Sequence, residues 1–360
     1  MTEQIDIHAS GPAMVAAAFA NQVAYCLNNG APITARAVAA VAAVLESGAT
    51  SDFLNRVRGW QGAPIADALA LRVAGGLHAL HLSGAVPALA AIYADADGVD
   101  DAAIIAAVIS AHEAAMLPWL DGPPQTNEAG RSSNYIAALL WLTGRGVAPR
   151  FECIEIGSSA GINLMIDRYH YDLGGVSVGS EDALMRFAPE WRGAPPPDLA
   201  FDFASLRGSD IAPVDLTDAS QALRLRAYIW PEHHVRFARM DAAIACAHAQ
   251  KPDIVAMNAA DFVEGKLARP QAAGTTRALM HSIVWQYVPA DQRARVSAAM
   301  AAAGARATVD RPLAWVALEA NRTLHHHELV VRYWDGGQGD GTPHTLAHAH
   351  AHGAWVEWLL

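Results

Sequence analysis

Cysteine is scarce in this 360-residue chain: only Cys26, Cys153 and Cys246 occur, widely spaced and without a C-x-x-C pair. That excludes a disulfide scaffold and reads as buried thiols in a reducing compartment. Positive charge is short as well. Lysine and arginine total 25 against 36 acidic residues, the formal net charge is −11, and no basic run offsets it. A nucleic-acid partner is therefore excluded, and a small or neutral substrate is expected. The first residues, MTEQIDIHAS, lack the basic stretch and apolar core of a signal peptide. The apolar runs around residues 38–45 and 102–109 are too short to span a bilayer. These absences together predict a cytoplasmic protein with no membrane partner. No repeat of about 20–50 residues is visible either, which argues against a solenoid.

What is present changes character once. Up to about residue 148 the periodicity is helical, with segments at 14–27, 34–45, 65–82, 102–119 and 132–142 and a short helix capped at Ser51-Asp52. Glycine, proline and aspartate punctuate them, and abundant alanine suggests close helix packing. From Phe151 onward strands alternate with helices. Strands are predicted at 199–206, 253–257, 279–284, 314–319, 328–334 and 346–360, with a hairpin turn at Asp335-Gly336-Gly337. The domain reading is a helical part, 1–148, and an α/β part, 149–360.

The pivot is residues 151–171, FECIEIGSSAGINLMIDRYHY. An apolar strand runs to Ile156 and breaks at Gly157-Ser158-Ser159-Ala160-Gly161. Helical spacing resumes through Ile162, Leu164, Met165, Ile166 and Tyr169. Strand, small-residue turn and helix make the first half of a nucleotide-binding α/β unit. Small residues would let backbone N–H groups approach a ligand, and the helix would aim its positive end at it. The frame is acid-x-Gly-x-small-x-Gly (Glu155, Gly157, Ser159, Gly161) rather than G-x-G-x-x-G.

That frame resembles the first motif of class I S-adenosylmethionine-dependent methyltransferases. GSSAGINL followed by DRYHY resembles the bacterial DUF2332 family, over nearly the whole chain. The resemblance implies a Rossmann-like methyltransferase sheet, mostly parallel, seven-stranded and closed by a C-terminal antiparallel hairpin. It implies S-adenosylmethionine as cofactor, with Glu155, Gly157, Ser158, Ser159, Gly161 and Asn163 around its amino-acid end. Asp210 or Asp215, beyond the second strand, would meet the ribose, although they stand far from the glycines in sequence. Asp261, in Asn258-Ala-Ala-Asp261, would receive the adenine amino group or else cap the next helix.

The connector at 121–135 is dense in polar groups. Asn127, Glu128 and Arg131 are candidates for a substrate pocket's rim, the alternative being a loop capped at Ser132 or Ser133. A similar Asn-Glu-x-Gly-Arg-Ser run belongs to the family resemblance. Trp285, Gln286 and Tyr287 follow a strand and would stand at the site's mouth, or pack on the next helix. His233, His234, His281 and Tyr287 are candidate proton acceptors. The function expected is methyl transfer to a small molecule. A non-catalytic nucleoside or metabolite binder is the alternative. An α/β hydrolase using Ser159 in its G-x-S-x-G frame is disfavoured, because helices and not strands precede this strand. Of sixteen histidines, the dense groups are His325 to His327 and His344, His348, His350 and His352. Alternation would place the last three on one strand face. No carboxylate or cysteine pattern completes a tetrahedral set, so no metal is assigned.

Overall fold

The structure, a computed structural model, describes residues 8–321, 323–324 and 326–360; His325 of the first histidine group lies outside them. The chain divides into two compact units, Met1–Thr126 with Asp218–Ala238, and Asn127–Thr217 with Arg239–Leu360.

In the first unit the described elements are helices: α1 Pro12–Asn28, α2 Pro32–Glu46, α3 Asp52–Arg58, α4 Leu69–Leu82, α5 Ala90–Tyr93, α6 Asp101–Met116 and, after residue 217, α8 Ala219–Ala227. Local chemistry fixes their starts. Pro12 and Pro32 occupy first turns, where the missing N–H costs nothing. Ser51 caps α3 through Leu54 N, and Asp100 caps α6 through Ala103 N. Phe19, Val38, Phe53, Leu69, Val73 and Ile105 anchor one apolar core. The run from Asp101 extends to Leu120, 20 residues, and is long and apolar enough to cross a bilayer, unlike the shorter run visible in the sequence. Its Ile105, Val108, Ile109, Met116 and Leu120 are buried in that core.

The second unit holds strands β1 Arg150–Ile156, β2 His170–Leu173, β3 Val176–Val178, β4 Arg186–Phe187, β5 Glu190–Arg192, β6 Asp202–Asp210, β7 Asp253–Ala256, β8 Thr276–Ser282, β9 Leu313–Asn321, β10 His326–Trp334, β11 His344–Ala349 and β12 Trp355–Trp358. Among the described residues the main sheet has nine strands, not seven, in the order β5-β12-β11-β10-β9-β8-β1-β6-β7. Strands β7, β6, β1, β8 and β9 run parallel, and the order reverses between β1 and β8. Strands β10, β11 and β12 extend the sheet antiparallel, so the expected single hairpin is a three-strand run. The strand expected at 346–360 breaks after Ala349, and His350 and His352 fall in its turn.

Helix α7, Ser132–Gly144, packs on one face against β9 and β10; α10 (Ala259–Leu267) and α11 (Ala290–Gly304) pack on the other. Alternation along β1 sends Ile154 and Ile156 into a cluster with Phe262, Leu279 and Val296. Each such burial is worth about 1.5–3 kcal/mol. The helix α9, His234–Ala249, begins in the first unit and ends in the second.

One expectation fails at the pivot. After the small-residue turn there is no α-helix, only a seven-residue 3₁₀ segment, Ile162–Arg168, with Met165 out of helical geometry. Ile162, Asn163, Leu164, Met165 and Ile166 are all buried, so no solvent face exists for an amphipathic helix. The chain passes instead into a small sheet, β3-β2-β4.

Candidate functional site

In an open α/β sheet, ligands collect beyond the carboxyl ends of strands where the strand order reverses. A cavity of about 240 Å³ opens there, lined by Gly157 after β1, Ser209 and Asp210 at the end of β6 with Ile211 beyond, Met257 and Ala259 after β7, and Val284, Tyr287 and Gln292 after β8. It lies just under the usual range of about 300–1,000 Å³ for enclosed ligand sites. Its rim is apolar and exposed: Ile211 is 82% accessible and Tyr287 73%.

The turn beside this cavity is closed on itself. Gly157 (φ 67), Ser159 (φ 52) and Gly161 (φ 70) all adopt left-handed backbone. Ser158 N donates to Ser209 O at 3.0 Å, Ser159 N to Asp210 Oδ2 at 2.8 Å, Gly161 N to Ser158 O at 2.7 Å, and Ile162 N to Asn127 Oδ1 at 3.1 Å. These N–H groups are therefore committed within the protein, contrary to the expectation that they await a ligand's carboxylate. The space beside the glycines is taken too. A Cβ at Gly157 would strike the Val284 side chain, and one at Gly161 would strike Ile254 and Pro252. Packing and positive φ are by themselves enough to require glycine at both positions.

The acidic candidates separate. Asp210 lines the cavity and clamps the turn, its Oδ1 accepting from Ala212 N and its Oδ2 from Ser159 N. Asp215 lies outside the cavity, ion-paired to Lys251 at 2.6 Å; that partner, with Thr217, holds its carboxyl at about 2. Asp261 is also outside, bound to Arg295 at 2.7 Å. The cap of α10 is Asn258, which accepts from Asp261 N, rather than Asp261 itself.

Glu155, two residues before Gly157, is buried. Its Oε1 accepts from Asn163 Nδ2 at 3.2 Å, and its Oε2 has no hydrogen-bond partner. Burial pushes the carboxyl up to about 7, against the hydrogen bond from Asn163 that pulls it down; Ser158 Oγ donates to the backbone carbonyl of Glu155 at 3.1 Å. Asn163 Oδ1 and Ser209 Oγ on β6 are likewise buried without partners. A buried carboxylate oxygen left open calls for a donor, a water or a ligand cation.

The connector works as a fastener, and Asn127, Glu128 and Arg131 are not among the residues lining this cavity. Asn127 holds Ile162 N, and buried Glu128 accepts from Gly130 N at 3.1 Å and faces Arg239 at 3.5 Å. Arg131 donates to Ala351 O at 2.9 Å and to Ser282 O at 3.5 Å. Neither serine caps α7; Ser132 Oγ donates back to Ala129 O.

Of the candidate proton acceptors, only Tyr287 stands at the cavity. His281 is buried with both ring nitrogens engaged: Nδ1–H donates to Glu319 Oε1 at 2.7 Å, and Nε2 accepts from Trp315 Nε1 at 2.9 Å. His233, stacked on Trp230 at 5.2 Å, and His234, at the start of α9, belong to the first unit. Trp285 lines a different cavity of about 450 Å³, on the α11 side, with His281, Trp315, Glu319 and Trp334. Gln286 lies in the 3₁₀ turn between Trp285 and Tyr287 and lines neither. Sequence reasoning missed Ile211, Met257 and Val284 as lining residues. Their signal is faint: apolar residues placed one or two positions beyond the end of a strand.

The class these features define is an open α/β protein with a small cavity where the strand order reverses. Over residues 16–358 the chain matches the family described as uncharacterized protein conserved in bacteria (DUF2332), and it belongs to that family. No curated protein and no solved structure matches it.

Proposed function

We propose that this chain binds S-adenosylmethionine at the cavity beyond β1 and β8 and transfers its methyl group to a small molecule. The observation that carries the reading is buried Glu155, with one oxygen unpartnered, two residues before the cavity-lining Gly157. That oxygen would accept from the ligand's ammonium. Ile211, Met257 and Val284 make apolar walls suited to a flat heteroaromatic ring. Each oxygen of Asp210 accepts one backbone N–H and retains a lone pair for a ribose hydroxyl. The fit is good at the adenosine end. At the carboxylate end it differs from the resemblance, because the turn's bonded N–H groups would not serve. When bound, the sulfonium supplies an already reactive methyl group. The chain's part is alignment of the acceptor, with Tyr287 Oη at the mouth to take its proton.

A second reading, a non-catalytic binder of a nucleoside or metabolite, is favoured by those same committed N–H groups. Calorimetric titration with S-adenosylmethionine, S-adenosylhomocysteine and adenosine separates the two. The first reading expects both sulfur ligands to bind more tightly than about 1 mM, the upper end of common substrate constants. Binding of adenosine alone would transfer the case to the second reading, and no binding at millimolar ligand would remove the first. The hydrolase alternative retains the strained turn at Ser159, but the sheet's buried His281 is committed to Glu319 and Trp315. Labelling of Ser159 by a fluorophosphonate would revive it.

A further inference from the structure

The antiparallel end of the sheet gathers three ligand-type side chains on one face. His326 and Glu328 are two apart on β10 and share a face, and register places His348 of β11 directly opposite Glu328. One ring nitrogen or carboxylate oxygen from each lies within 4.8 Å of the others. We propose that His326, Glu328 and His348 hold one divalent transition-metal ion, of the zinc type.

Four further observations support it. His326 Nε2 is buried without a hydrogen-bond partner, 3.6 Å from Glu328 Oε1. His348 donates from Nδ1 to Glu357 Oε2 of β12 at 3.2 Å, which fixes the tautomer and leaves Nε2 as the ligand atom. A carboxylate behind a histidine is the usual support of a metal-bound imidazole. Asn321 Nδ2 donates to Glu328 Oε1 at 3.0 Å and orients that carboxylate. Finally, Glu319 of β9 stands directly opposite Glu328. Like charges so placed disfavour the pairing unless a cation lies near.

Two imidazoles and one carboxylate form a three-ligand set, with the next coordination position left for water or substrate. Glu319 does not fill that position through Oε1, which already accepts from His281 Nδ1, Val284 N and Trp285 N. Glu319 also borders the cavity of about 450 Å³ walled by Trp285, Trp315 and Trp334. That aromatic chamber is separate from the cavity at Gly157.

The test is metal binding by chelator-stripped full-length protein. Zinc is titrated calorimetrically, and cobalt is followed by its visible absorption. One equivalent of either metal is expected. His348→Ala and Glu328→Gln should lower affinity more than 100-fold, and Glu357→Gln by about 10–100-fold with the stoichiometry kept, the range for loss of a supporting partner. His248→Ala, exposed on α9, should change nothing. Thermal melts check folding. Should His348→Ala not fold, Glu357→Gln decides, because that side chain is 48% exposed and its loss leaves the sheet intact. No zinc or cobalt bound at micromolar metal would overturn the proposal, and so would His348→Ala and Glu357→Gln proteins that bind as wild type does.

Discussion

Glu155→Gln should make this protein more stable, and increasingly so as pH rises. The carboxyl sits in the sheet unit with one oxygen unpartnered, and burial raises it from an ordinary 4.5 to about 7. At about 1.4 kcal/mol per pH unit, that rise corresponds to about 3 kcal/mol. The folded state holds the proton more tightly than the unfolded state. The associated stability is therefore full below about 4.5 and is lost as pH rises through about 7. Glutamine keeps the shape, accepts from Asn163 Nδ2 as the glutamate does, and carries no charge to bury. Urea denaturation of both proteins at several pH values between about 5 and 8 measures the difference. The variant should gain little at the acid end and about 3 kcal/mol at the alkaline end. A difference that stays flat, or that favours wild type at high pH, would refute the account of Glu155 as a desolvated carboxyl.

Two further outcomes follow from the packing. His78 is buried in the helical unit, and burial lowers its imidazole from 6.5 to about 4 although Nδ1 donates to Ala227 O. Its share of stability is full above pH 6.5 and lost as pH falls through about 4, up to about 3 kcal/mol; acid melts of His78→Gln should lose that slope, and an unchanged slope would contradict it. Gly157→Ala should cost about 1 kcal/mol for φ 67 and about 1–3 kcal/mol more for overlap with Val284; a Tm equal to wild type would show that the contact yields freely.

Much of the sheet was legible because each strand carries a hydrophobic run bounded by glycine, proline or aspartate. β1 ends at the expected Ile156, and β7 and β10 lie within about two residues of their expected bounds. The site was legible at its centre and, through Tyr287, at its rim. Gly157 and Asp210 do border the cavity, but the 3₁₀ segment escaped notice because spacing alone cannot tell a one-sided apolar stripe from a segment buried all round. Asp215 and Asp261 were chosen by type and place, whereas nearby cations, Lys251 and Arg295, decide where their carboxylates point. The histidine groups that include His326 and His348 were visible, but their meeting with Glu328 was not. Their convergence depends on strand register across a hairpin, and a bulge between Leu329 and Val330 helps set that register.

The self-bonded turn at residues 157–162 has a consequence for how a ligand is received. A loop whose donors wait for a guest is ordered by that guest, and part of the binding free energy goes into freezing it. Here Asn127, Asp210 and the carbonyls of Ser158 and Ser209 have frozen the loop beforehand. Its shape is rigid before association, little conformational entropy remains to be lost, and a ligand is accepted only as far as it matches a mould already set.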